Sequence, residues 1–395
     1  MAGKINVALI GHQFMGKAHS TAWTQVNRFF RPPKPARMHT VIGREEQSLA
    51  EFAARFGWAN WSANWRKTIR LDEIDLVDIA APNNVHAEMA VAALEAGKHV
   101  ACEKPLAGNL DDARRMLAAA RKHAACKTFV WYNYRRCPAV ALAHLLVKAG
   151  RIGAVRHVRG VYLQDWADES VPLIWRFEKK VAGSGSHGDL NAHVIDMCRF
   201  VTGQEITEIC GAISETFVKE RKLMAGAAGG GIAANVSGAG RKGKVTVDDA
   251  VLFLARFSGG GVASFEATRM ATGNQNRTGF EVNGTKGAVR FNFERMNELE
   301  FYDATADRAV QGWTTIMCTH SGSHPYAQAW WPDAHVLGYE HSFTNHAYDI
   351  LLSLARKKPT VPLADFHDAY QTQRVLTAAL IAAKERSWVK LSEVK

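Results

Sequence analysis

Cys102-Glu103-Lys104-Pro105 places a lysine at the carboxyl end of an apolar run. Far downstream, Gly188-Asp189-Leu190-Asn191-Ala192-His193 sets an acid and a histidine four residues apart. A lysine, a carboxylate and an imidazole brought to one point can bind a hydroxyl and remove its proton. The ammonium stabilises charge developing on the oxygen. The imidazole titrates near neutral pH and suits the role of base. Whether the three converge depends on the elements that carry them.

Those elements fall into two halves. Residues 4–10 read as a buried strand ending at Gly11, and 15–28 as a helix. The prolines at 32, 33 and 35 forbid a helix there. Strands at 38–43, 75–80, 98–103 and 128–131 then alternate with helices at 46–56, 84–96 and 110–123. Short apolar strands alternating with helices give βαβ units and a doubly wound parallel sheet of Rossmann type. After about residue 135 the rhythm changes. A helix at 138–148 is followed by β-branched strands at 155–163, 206–218, 245–257, 261–268, 279–282, 288–292 and 298–302. That pattern suits an α+β domain on a large, mostly antiparallel open sheet. The Gly- and Ala-rich stretch 224–244 reads as an excursion without an element of its own. A helix over 366–385 closes the chain. The expected domains are 1–134 for a dinucleotide and 135–395 for substrate binding and oligomerisation, with the last helix able to pack back on the first.

The length of 395 residues supports two domains. Net charge is +11, but the basic residues are scattered, which suits an anionic small ligand and argues against a nucleic-acid surface. The six cysteines at 102, 126, 137, 198, 210 and 318 lack CxxC spacing, so neither a zinc nor a redox motif is indicated and no metal is expected. They read as free thiols of a reducing compartment. The first apolar run is too short for a signal-peptide core, and no run approaches a bilayer span. A cytoplasmic protein without membrane association is the expectation.

Gly11-His12-Gln13-Phe14-Met15-Gly16 occupies the place of a phosphate-binding turn, where backbone N–H groups and a helix N-terminus face a pyrophosphate. Gly11, Phe14, Met15 and Gly16 are candidate cofactor contacts. Gln13 stands where GxGxxG has its middle glycine. At the end of the second strand Arg44 argues for NADP, and the adjoining Glu45 leaves NAD open. Pro82 and Asn83 sit at the carboxyl edge of the sheet beside a bound nucleotide, and His86 is open to either packing or a cofactor contact. Glu103 and Lys104 lie in the same ligand-binding layer. In the second half, Asp189, His193 and Asp196 share one helix face beside the apolar stripe Leu190, Val194, Met197 and Val201. A satisfied core histidine and an acid that favours the helix dipole are the plain alternatives.

The Gly11 to Gly16 turn, Glu103-Lys104-Pro105, Asp189-x-x-x-His193 and Asn283-Gly284-Thr285-Lys286-Gly287 together resemble the glucose–fructose oxidoreductase/inositol dehydrogenase (Gfo/Idh/MocA) family, in order and over nearly the whole chain. Leu163-Gln164-Asp165-Trp166 and Trp175-Arg176-Phe177 are most similar to its levoglucosan dehydrogenase-type sugar 3-dehydrogenases. The resemblance implies an NAD- or NADP-dependent oxidoreductase that moves hydride between nicotinamide and a secondary ring hydroxyl of a sugar, anhydrosugar, glycoside or polyol. It implies that Lys104 binds the reacting hydroxyl, Asp189 holds a neighbouring one, and His193 is the base. Asn133, Trp175 and Arg176 then lie near the nicotinamide, and Arg135, Gln164, Asp165 and Trp166 near the substrate. Asn191 departs from the family, where glycine is usual. A homodimer or homotetramer is implied, with the active site in a cleft between the domains. An inositol dehydrogenase or sugar-ketone reductase of the same fold is the alternative, and a non-catalytic dinucleotide-binding regulator ranks lower.

Overall fold

A computed structural model describes residues 3–224 and 238–394. The chain divides into two compact units. Among the described residues, one holds 3–136 and 338–370, and the other 137–224, 238–337 and 371–394.

The first unit is built on six strands: β1 (Ile5–Ile10), β2 (Ala36–Ile42), β3 (Asn60–Ser62), β4 (Leu76–Ile79), β5 (His99–Cys102) and β6 (Thr128–Val130). All pair in parallel, in the order β3-β2-β1-β4-β5-β6. Between them run helices α1 (Phe14–Phe29), α2 (Glu46–Phe56), α3 (Trp65–Thr68), α4 (His86–Glu95) and α5 (Leu110–Lys122). Alternate side chains of a strand point to opposite faces. Val7 and Leu9 accordingly join Trp23 and Val26 of α1, while Ala8 and Ile10 join Ala90 and Leu94 of α4. β1 is flanked by β2 and β4, so the connections leave it in opposite directions. This opens the ligand crevice of a doubly wound sheet beyond the carboxyl ends of β1 and β4.

A helix over Tyr339–Leu354, which the sequence reading missed, completes this unit. Its Phe343, Ala347, Ile350 and Leu351 join the α1 side of the core. Ser342, Thr344, Asn345, His346 and Asp349 are buried as well, so no polar stripe marks an outer face. Several of these polar groups are satisfied inside the unit: Asn345 donates to Arg136 O, and Asp349 pairs with Arg136. The Phe366–Glu385 helix begins in this unit, with Phe366 and Ala369 in the α4 side of the core.

In the second unit α6 (Pro138–Lys148) precedes β7 (Val155–Leu163). A short α7 (Lys179–Ala182) leads to a wide π-helical turn over His187–Asn191, which runs into α8 (Ala192–Thr202). Then follow β8 (Ile206–Glu215), β9 (Glu220–Met224), β10 (Gly238–Lys244), β11 (Ala250–Phe257), β12 (Val262–Thr268), β13 (Arg277–Gly284), β14 (Gly287–Asn292), β15 (Glu298–Asp303), β16 (Trp313–Met317) and β17 (Val389–Lys390). The large sheet has nine strands in the order β16-β15-β14-β13-β7-β12-β11-β8-β17. Only β7 and β12 pair in parallel among them. The stretch 224–244, expected to lack an element, supplies β10, which pairs antiparallel with β9; residues 225–237 lie outside the described set. β8 ends and β11 starts inside their expected limits. The Asp249 carboxylate takes the backbone N–H groups of Phe217 and Val218, which removes them from the ladder.

Candidate active site

Gly11 follows β1 with φ 111°, and a Cβ there would lie 2.4 Å from Ala80 O at the end of β4. A Cβ on Gly16 would lie 2.3 Å from Gly11 O. Both glycines are required by close backbone approach, one across the switch point and one within the turn. Gln13 is exposed and N-caps α1 without a side-chain bond, so the position of the missing glycine has room for its side chain. Phe14 is exposed and lies parallel to Tyr339, and Met15 packs on the core. Arg44 and Glu45 are both exposed after β2. These features fit a dinucleotide: the tight turn opens on the N-terminus of α1, with the acid and the arginine at the end of the next strand.

Pro82 and Asn83 follow β4 as expected, but α4 begins only at His86, after a tight turn over Asn83–Val85. His86 is fully buried, with Nε2 at 2.9 Å from Ala81 O and Nδ1 at 3.2 Å from Pro105 O. Burial lowers its pKa. Its ring braces the loop after β4 against the loop after β5, which is the packing alternative left open by the sequence. Asn133 is buried and donates to Ser342 Oγ at 2.9 Å. Arg135 is 3% exposed, pairs with Asp368 at 2.7 Å and lies over the Tyr132 ring.

Lys104 is half-buried immediately after β5, and its peptide bond to Pro105 is cis. Its backbone N–H donates to Glu103 Oε2 at 3.0 Å. Glu103 belongs to a buried polar cluster that the sequence reading missed. His19 Nε2 lies 3.0 Å from Glu103 Oε1, and His19 Nδ1 lies 3.0 Å from Asp78 Oδ2. Asp78 also accepts the indole N–H groups of Trp23 at 2.7 Å and Trp131 at 2.8 Å. Burial pushes the His19 pKa down, but Asp78 and Glu103 outweigh it and raise it to about 9. The legible signal was a histidine on the apolar face of α1, one turn before Trp23, and an acid inside the fully buried strand β4.

In the second unit Asp189 lies in the π-helical turn and His193 in the first turn of α8. π-turns are rare and recur at functional sites. Asp248 fastens this turn. Its carboxylate accepts from Gly185 N, His187 N and Ser186 Oγ, each at 2.8 Å. Asn191, the departure from the family pattern, is buried and donates to Val251 O at 3.2 Å, with His187 Nδ1 at 3.0 Å from its amide. His187 Nε2 reaches Leu376 O at 2.8 Å. Asn191 thus ties the turn to β11. Asp189 is 21% exposed at its side chain and sits 3.6 Å from Arg269 Nη1. His193 is 8% exposed, with its ring centroid 6.0 Å from that of Tyr162. Asp196 is buried further along α8.

Gln164 and Trp166 form one chain with residues the sequence did not single out. Trp166 Nε1 donates to Gln164 Oε1, Gln164 Nε2 to Asn276 Oδ1, and Tyr162 OH to that same oxygen, at 2.8, 2.8 and 2.9 Å. Asp165 accepts from Gly273 N at 3.1 Å. The Arg269 guanidinium lies 5.3 Å from the Trp166 ring and 5.2 Å from Phe177. Trp175 carries Arg176 over its ring at 4.3 Å. Arg269, Asp248 and Asn276 fall in loops or at strand ends with no spacing rule to mark them. No group of metal-binding side chains occurs among the described residues.

The family model described as an oxidoreductase family with an NAD-binding Rossmann fold matches residues 5–132, and that of the GFO/IDH/MocA C-terminal domain matches 140–290. Levoglucosan dehydrogenase of Pseudarthrobacter phenanthrenivorans is 41% identical over 394 residues, covering 99% of each chain. A solved structure of levoglucosan dehydrogenase in complex with NADH and levoglucosan is similar at a TM-score of 0.90 and 39% identity, over 99% of this chain and 100% of that one. The crystal structure of an oxidoreductase domain protein from Kribbella flavida gives 0.91 and 44%, over 99% and 100%. With both of its sheets accounted for by these matches, the chain belongs to the GFO/IDH/MocA oxidoreductase family and is an NAD(P)-dependent sugar or polyol dehydrogenase.

Proposed function

We propose that this enzyme oxidises a secondary ring hydroxyl, at C3, of levoglucosan or a closely related anhydrosugar, with NAD as oxidant. The observation that carries this reading is the 41% identity to levoglucosan dehydrogenase along the whole chain. The chain's own residues agree with it. Asp189 and Gln164 offer hydroxyl-binding groups, and Trp166 offers an aromatic surface to a sugar's apolar face.

In the reaction a carbinol C–H bond breaks with its electron pair, the O–H proton leaves, and a ketone forms. Nicotinamide, when bound, accepts the hydride. The Gly11 to Gly16 turn would hold the pyrophosphate of that cofactor. The Lys104 ammonium binds the reacting oxygen and stabilises its developing negative charge. The His193 imidazole takes the proton. Asp189 orients the ring through a neighbouring hydroxyl, which fixes which carbon reacts.

The test is a rate measurement at the absorbance of the reduced cofactor, with NAD and NADP each offered levoglucosan, other anhydrosugars, free sugars and inositols. The highest kcat/KM is expected for an anhydrosugar with NAD. A clear preference for an inositol would replace this reading by that of a polyol dehydrogenase.

The reading extends to a homo-oligomer, a dimer or tetramer, working on soluble sugar in the cytoplasm. The outer face of the nine-stranded sheet supports the oligomer: Ile213, Leu252, Leu254 and Val262 stand exposed on adjoining strands β8, β11 and β12, and Trp388 is exposed beside Arg256. A contiguous exposed apolar patch of this kind marks a contact surface, and a second copy of the chain is its proposed occupant. The six unpaired thiols suit a reducing compartment.

A further inference from the structure

His19 touches no residue of the assigned chemistry except Glu103, yet it stands in an expensive arrangement. It is fully buried, and each ring nitrogen faces a carboxylate. A carboxylate oxygen only accepts hydrogen bonds, so both nitrogens must carry protons for both contacts to be favourable. Asp78 already takes two indole N–H groups, which suit its ionised form. The arrangement is therefore a buried imidazolium between two carboxylates, one in β4 and one just after β5. From the Tyr339–Leu354 helix the neighbouring group is His346, whose ring lies on Trp131; burial first, then Arg136, Arg135 and His19 itself, lower its pKa, so it is neutral. Well-packed apolar residues usually serve stability as well as a buried ion cluster does. What distinguishes this cluster is what it holds in place.

What it holds is the backbone that carries Lys104. One Glu103 oxygen is fixed by His19, and the other accepts the Lys104 N–H. We propose that His19 is a positioning residue, which orients Lys104 by clamping Glu103 against Asp78. Its chemistry is indirect: without the second N–H donor, the Glu103 carboxylate loses its fixed rotamer and the root of the Lys104 side chain loses an anchor. This inference rests on the assignment of Lys104 to the reacting hydroxyl.

The experiment is a double-mutant cycle on the full enzyme with its best substrate. His19→Gln keeps the ring's approximate size but donates from one nitrogen only. Its kcat is expected to fall about tenfold, with the NADH dissociation constant changed by less than about twofold. In the Lys104→Ala background the same substitution is expected to change kcat by less than about twofold, because the group being positioned is gone. Wild-type kcat in His19→Gln, or a tenfold loss that persists in Lys104→Ala, overturns the proposal. Should His19→Gln not fold, Glu103→Gln runs the same cycle under the same two criteria. Full turnover in Lys104→Ala alone would instead sink the assignment of Lys104, and is told apart because it appears in the single variant.

Discussion

Arg269 Nη1 lies 3.6 Å from Asp189 Oδ2, and the guanidinium that makes this contact lies beside both the Trp166 and the Phe177 ring, at 5.3 and 5.2 Å. Asp189 thus has a fixed cationic neighbour that is itself closed off from water. Arg221 stacks on Phe177 at 4.0 Å and binds the carbonyls of Ala167 and Val171 at 2.6 and 3.0 Å, which stiffens the segment after β7. Replacing Arg269 by Met keeps bulk beside the rings and removes the charge. Sugar KM is expected to rise about tenfold, or about 1.4 kcal/mol of substrate binding, while NADH binding stays as in the wild type. Steady-state kinetics with a fluorescence titration of NADH separates the two. An unchanged KM would mean that Asp189 needs no such support.

Asp248 should matter to stability more than its distance in sequence from Asp189 suggests. Three donors at the start of the π-helical turn converge on its carboxylate. Asp248→Ala leaves them buried without that acceptor. The loss of unfolding free energy is expected to be about 3 kcal/mol, read from urea denaturation. A loss below about 1 kcal/mol, the size of an ordinary helix cap, would show that the turn holds itself.

His19 gives the fold an alkaline weakness. Its pKa rises from 6.5 in the unfolded chain to about 9 in the folded one, so folding binds a proton. The corresponding stabilisation, about 3 kcal/mol, is complete below pH 6.5 and is lost as pH climbs to about 9. Thermal melts from pH 6.5 to 9.5 should show Tm falling across that window. The fall should be shallower in His19→Gln, and a parallel fall in both proteins would assign the effect to other groups.

Gly11 has the least tolerance of any residue in the nucleotide turn. Alanine there meets both a φ of 111° and the Ala80 carbonyl. Gly11→Ala is expected to weaken NADH binding by at least about tenfold, because the turn must open by moving the end of β1 away from β4. Titration by protein fluorescence measures it; binding within twofold of the wild type would contradict the close approach.

Leu254 is 51% exposed on β11, between β8 and β12 on the outer sheet face. Leu254→Glu buries a charge if that face pairs with another copy. Light scattering coupled to size-exclusion chromatography should then show a smaller assembly than the wild type. An identical mass would place the interface elsewhere.

The sequence by itself determined the order and class of the elements. The period of the apolar residues separates a parallel α/β half from a β-rich half, and short-range signals set the limits of α2 and α6, which the structure reproduces at 46–56 and 138–148. It also marked Gly11, Gly16, Lys104, Asp189 and His193, because strand ends, glycine spacing and four-residue intervals are local patterns. Tertiary structure alone decided what surrounds them. The Tyr339–Leu354 helix is buried on its polar positions as well as its apolar ones, so no stripe announced it. His19 joins Asp78 and Glu103 across three segments with no spacing relation, and Arg269 meets Asp189 across two more. Charges buried this way persist only where distant segments supply partners, and that complementarity is written in the packing, not in any stretch of the chain.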